Sequence, residues 1–196
     1  MANPLYGQNK ADNILDQSIK NTGWREITVI TAADDSHTLT AADGGTILIS
    51  AALAAGSVIK LPEASQALVG LKFHILFSGT MATSCSIKLK DGNPEVFAGV
   101  VHARRCGNAA GVTDGQQDSG TTGVVNATTI VCTVAAGEQA LALDENDVSF
   151  GGGIGTDLTF EYVSPTVVFV TGSININVAD TAVDPVLATS FTATGY

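Results

Sequence analysis

Between Leu71 and Phe77 the chain reads LKFHILF, with Leu71, Phe73, Ile75 and Phe77 on one side and Lys72 and His74 on the other. A period of two is the geometry of an extended strand with one dry and one wet face, and a helix cannot present it. The pattern returns along the chain. CSIKLK sets Cys85, Ile87 and Leu89 against Lys88 and Lys90, and DLTFEYV sets Leu158, Phe160 and Tyr162 against Thr159 and Glu161. SININV sets Ile174, Ile176 and Val178 against Asn175 and Asn177. WREITVIT, TILIS, SVIKL, TTIVCTV and TVVFVTG add β-rich runs, separated by the turn signals DGG, SGT, DGNP and GGGIG. After residue 23 no segment sustains a period of 3.6, although ASQALVG at 64–70 allows one helical turn.

These runs predict an all-β protein, an antiparallel β-sandwich or squat barrel of about ten short strands. Phe73, Phe77, Ile87, Leu89, Phe160 and Ile176 are expected in its core. The stretch TLTAADGGTILISAALAAGSVIKLPEA, residues 38–64, reads as a surface-laid hairpin: polar turn, strand, small-residue spacer, strand and proline stop.

A length of 196 residues suits one domain with an arm. Residues 1–23 are polar, with Pro4 and Gly7, and cannot build a core of their own. They carry Leu5, Tyr6, Ile14 and Leu15 as anchors for ordering on a neighbour. The β domain is expected over 24–196 and to fold without the arm. RRCGNAAGVTDGQQDSGTTG, residues 104–123, is polar and glycine-rich and predicts an exposed loop between the two halves of the sandwich. Arg104 and Arg105 are the adjacent basic pair of an acidic chain, and make a candidate contact to an acidic partner surface.

The chain offers little that resembles catalysis. His37, His74 and His102 have no partner at the spacing of a metal site or a triad, and His74 alternates onto an outward face. GxSxG, HExxH and phosphate-loop motifs are absent from the sequence. GGGIGTD lacks GxGxxG spacing and precedes a strand, so it reads as a tight turn. DENDV at 144–148 lacks the glycine and distal glutamate of an EF-hand loop and reads as a solvated acidic turn. Cys85, Cys106 and Cys132 form no CxxC pair; Cys85 and Cys132 lie in apolar alternating runs and are expected to pack as small hydrophobes. The reading is a non-enzyme with no catalytic residues, no metal and no cofactor.

A formal net charge of −10, from 9 Lys plus Arg against 19 Asp plus Glu, repels nucleic acid and anionic lipid, so neither is an expected partner. The start MANPLYGQNK has no apolar signal core, and no run reaches transmembrane length, so synthesis in a cytoplasm is expected.

The segment HTLTAADGGTILISAALAAGSVIKLPEASQALVGLKFHILFSG resembles a recurrent pattern in structural proteins of tailed phages. There an LTAADSG-like turn leads into a strand, an I-x-LP strand end, then GL and a Phe-rich alternating strand; here Gly44 stands where Ser is common. DLTFEYVSPTVVFVTGSI resembles the closing element of the same pattern, with Phe169 where Trp is common and Gly172 matching. MANPLYGQNKAD is similar to the N-termini of marine phage virion proteins. The resemblance implies a virion structural protein, and most specifically a capsid decoration (cement) protein on the head exterior. Its implied partners are the major capsid protein and further copies of itself as a homotrimer. The alternative is a tail or fibre module that binds a host surface. A sandwich-fold hydrolase using Glu138, Asp144, Glu145 or Asp147 is the remaining enzyme reading, and nothing in their spacing pairs them.

Overall fold

The computed structural model describes residues 27–31, 36–81, 85–92, 94–105, 127–144, 151–176, 191–193 and 195–196. It is an all-β sandwich of two mixed sheets. The strands are β1 (Thr28–Ile30), β2 (Ser36–Thr38), β3 (Gly45–Ile49), β4 (Val58–Lys60), β5 (Lys72–Phe77), β6 (Cys85–Lys88), β7 (Val96–Arg105), β8 (Ala127–Cys132), β9 (Ala140–Leu143), β10 (Asp157–Ser164), β11 (Val167–Ile176) and β12 (Phe191–Thr192). One sheet has seven strands in the order β1-β3-β5-β10-β11-β7-β8, and the other has five in the order β12-β9-β6-β4-β2.

The first six strands alternate between the sheets. β1, β3 and β5 pair in parallel in one layer, and β2, β4 and β6 pair in parallel in the other. The chain therefore winds as coils, each placing one strand in each layer, before the later strands add antiparallel pairs to β5 and β6. Pairing is thus mixed where alternation alone suggests antiparallel. Period two reports which face is dry and says nothing of a neighbour's direction.

The expected hairpin at 38–64 is not formed. TILIS belongs to the seven-stranded sheet, where Ile47 lies opposite Ile75, and SVIKL belongs to the five-stranded sheet, where Ile59 lies opposite Ile87. The connection 50–57 is longer than the 2–5 residues of ordinary hairpin loops. It carries Leu53, which is buried beside Met81 and anchors the crossing between layers. The TLTAADGG segment is a real turn. A 3₁₀ turn at Ala41–Asp43 is closed by Asp43, whose carboxylate accepts the Thr40 N–H at 2.8 Å and the Thr40 hydroxyl at 2.7 Å. Partial burial pushes the Asp43 carboxyl up. The hydrogen bonds from Thr40 and from the Thr28 hydroxyl outweigh that, so the group sits below the usual aspartate value. The ASQALVG segment likewise contains one 3₁₀ turn, Gln66–Leu68.

The core lies between the layers. Phe73, Ile75 and Phe77 of β5 and Leu158, Phe160 and Tyr162 of β10 face Ile59 and Leu61, Ile87 and Leu89, and Leu141 and Leu143. Phe97 joins the two sheets, with its ring centroid 5.6 Å from Phe160 and 6.0 Å from Phe191. Phe73, Phe77, Ile87, Leu89 and Phe160 are buried as expected, while the side chain of Ile176 lies outside the described residues. Gly99, with φ 139°, lets β7 lie against β11, since a Cβ there would meet the Val170 carbonyl oxygen at 2.0 Å.

Candidate interaction surface

Alternation that buries one face of the seven-stranded sheet leaves the other open. Registers place Thr46, His74, Thr159, Thr171, Val100 and Val131 in one row across it. The next row holds Lys72, Glu161, Phe169 and Ala98. Lys72 Nζ lies 2.9 Å from Glu161, and His74 Nε2 lies 2.7 Å from Asp157 Oδ1. Such exposed pairs contribute only about 0–1 kcal/mol each to stability. The larger effect of the Lys72–Glu161 pair is to match opposite charges across β5 and β10, while the His74–Asp157 contact ties the same two strands by a hydrogen bond. Towards β8 the face turns apolar: Val163, Phe169 and Val131 are 46%, 39% and 63% exposed. His102 belongs to the same face, with Nδ1 3.2 Å from the Thr129 hydroxyl.

One end of the sandwich is closed by a polar network around Glu95, which is only 1% exposed. One carboxylate oxygen accepts the Ala64 N–H and the other accepts the Lys90 N–H, the latter at 3.1 Å. The backbone carbonyl of Glu95 accepts from the Gln139 amide at 2.9 Å. Glu95 thereby joins the segment after β4, the turn before β7 and the segment before β9. Burial pushes its carboxyl above the usual glutamate value, assisted by Glu63, while the Ala64 and Lys90 N–H groups and the Lys90 charge pull it back. Beside it the Tyr162 hydroxyl donates to Pro62 O at 2.6 Å, and the Tyr196 hydroxyl donates to Leu61 O at 2.9 Å. Burial, and then the Glu95 charge, raise both tyrosines. Lys90 bonds Glu63 at 2.7 Å, and that bond holds its ammonium above the ordinary value. In the sequence Glu95 stands in DGNPEVF like any turn carboxylate. No local signal marks its burial, which depends on the Ala64 N–H from 31 residues away as well as on the nearby Lys90 N–H.

A shallow groove of about 280 Å³ opens among Ser86, Lys88, Ala142, Asp144 and Thr192. Among the described residues, no three His, Cys, Asp or Glu side chains are grouped to hold a metal ion. The three histidines fall on β2, β5 and β7. GGGIGTD forms the expected turn, with the Thr156 N–H donating to Gly153 O at 3.1 Å before β10 begins. Of DENDV, Asp144 bridges to Gly151 and the rest lies outside the described residues. Cys85 is buried as expected, its thiol 3.1 Å from Ala54 O; Cys106 and the side chain of Cys132 lie outside the described residues.

Of the partner-binding candidates, Leu5, Tyr6, Ile14 and Leu15 lie outside the described residues. Arg104 and Arg105 belong to the end of β7, opposite Asn175 and Ile176 of β11, rather than to a loop. The reason is the length of β11, whose ten residues give β7 a parallel partner through Arg105. Among the described residues no helix is long and apolar enough to cross a membrane. No protein-family model, curated protein or solved structure matches the chain.

Proposed function

We propose that this chain is a structural protein of a tailed-phage virion, made in the host cytoplasm and added to the capsid exterior, where it stabilises the shell by bridging capsomers. The observation that carries this reading is the open face of the seven-stranded sheet: Glu161 is paired with Lys72, Asp157 is hydrogen-bonded to His74, and Phe169 and Val131 are exposed. A surface of that kind suits adhesion to protein better than capture of an ion or small substrate. The phage-like segments at 37–79 and 157–174 agree with it.

A packed head is under outward pressure, and many weak contacts repeated over a lattice resist it through avidity. A stiff sandwich supplies the slab, and residues 1–23 supply a reach to the next subunit, either the major capsid protein or another copy in a homotrimer. The net charge of −10 keeps decorated particles from adhering to one another.

Two measurements test the reading. An antibody to this chain labels the heads of intact virions; labelling of tails alone replaces decoration with the fibre alternative. A chain lacking residues 2–22 melts as a β protein near the parent temperature and binds undecorated heads much more weakly. Full binding by the shortened chain removes the bridging role of the arm, and loss of folding moves the domain boundary upstream of Trp24.

A further inference from the structure

The apolar half of the open face is a contiguous patch. Val100 lies directly opposite Val131, and Phe169 lies on the next strand beside Ala98, one row over. Val163 and Val167 continue it beyond Phe169, at the bulge that separates Tyr162 from Ser164. On β7, β8 and β11 the described side chains bear no Lys, Asp or Glu, and of the β10 carboxylates on this face Glu161 is held by Lys72 and Asp157 is hydrogen-bonded to His74. Copies of a chain with net charge −10 repel one another, so an occupant drawn from another copy must be locally uncharged and apolar.

The N-terminal segment of the chain has that chemistry. Residues 1–9, MANPLYGQN, carry no charged side chain, and they include Leu5 and Tyr6. The described structure begins at Ile27, immediately before β1, and β1 lies at the opposite edge of the same sheet from the patch. Crossing the sheet takes about 29 Å at about 4.8 Å per strand. Leu5 precedes Ile27 by 22 residues. An extended chain of that length reaches about 70 Å, well beyond its own sheet.

We propose that Leu5 and Tyr6 of one copy dock on the Phe169–Val100–Val131 patch of a neighbouring copy, so that the arm links copies in sequence around an oligomer. This rests on the arm reading above and adds where it lands and on which chain.

The test uses the full chain in solution, without heads. Tyr6 is replaced by the photo-crosslinker p-benzoylphenylalanine in an equal mixture of unlabelled and heavy-nitrogen chains. Irradiation is expected to join unlike copies, with the links in peptides containing Val131 or Phe169. In ultracentrifugation the parent sediments as a multiple of 20.0 kDa. Val131→Asp and the double variant Leu5→Asp, Tyr6→Asp both fall to the single-chain mass, with circular dichroism melts matching the parent. Links confined to one copy, links elsewhere on the surface, no links at all, or an unchanged oligomer in Val131→Asp each overturn the proposal. If Val131→Asp fails to fold, the cross-link map still decides. Failure here with head binding retained leaves the decoration reading intact, whereas loss of head binding in a chain that still self-associates strikes the decoration reading instead.

Discussion

Replacing Glu95 tests whether the buried carboxylate organises its end of the sandwich. In Glu95→Ala the N–H groups of Ala64 and Lys90 both lose their acceptor at a site that is 1% exposed. A buried donor left without a partner costs about 1–3 kcal/mol, so the pair amounts to about 2–6 kcal/mol, lessened by no longer burying a carboxylate. Glu95→Gln keeps one acceptor and turns an amide donor towards the other N–H, so the expected loss is about 1–3 kcal/mol. Both are large against a total stability of about 5–15 kcal/mol. The sign of the pH dependence follows from the raised carboxyl. A glutamate whose folded value lies above its unfolded one binds its proton more tightly in the native state. Its stabilisation is therefore fully present below the unfolded value and is lost as pH rises through the folded one. Urea unfolding of the parent and of Glu95→Gln across this range gives the difference curve, in which the other carboxylates cancel. The parent's advantage should be greatest in acid and shrink as pH rises above about 4.5. An advantage that grows with pH means the two N–H donors outweigh burial, and an Ala variant as stable as the parent means the network holds nothing together.

Phe73→Ala, at a fully buried ring 6.2 Å from that of Tyr162, should cost about 3–5 kcal/mol in chemical denaturation. Gly99→Ala places a methyl against the Val170 carbonyl at a φ disfavoured for L-residues; a loss of about 2–6 kcal/mol is expected, read as a lower melting temperature with β11 amides losing hydrogen-exchange protection. A double-mutant cycle on Lys72 and Glu161 should return about 0.2–1 kcal/mol and shrink with added salt, which checks that this face is neutralised without being held rigid.

The inner and outer faces of the strands are written in the sequence. Phe73, Ile75 and Phe77, and Leu158, Phe160 and Tyr162, are buried where alternation puts them, and Lys72, His74 and Glu161 point outward for the same reason. Period two is a local property of an extended backbone, and burial of one face follows once any second layer exists. The tight turns at Ala41–Asp43 and before β10 were legible too, because their geometry depends on adjacent glycine, threonine and aspartate residues.

What tertiary structure alone decided is partnership. TILIS and SVIKL look like neighbours because they are close in sequence, yet each lies between an earlier and a later strand of its own sheet. Strand pairing is a contact between backbones that carry no sequence label, and its choice rests on how all the apolar faces close together. The same holds for Glu95, made a core residue by N–H groups from two separate segments. It holds as well for the patch of Phe169, Val100 and Val131, which three strands distant in sequence bring onto one surface. Alternation decides which way each side chain points, and only the closed fold decides which side chains meet.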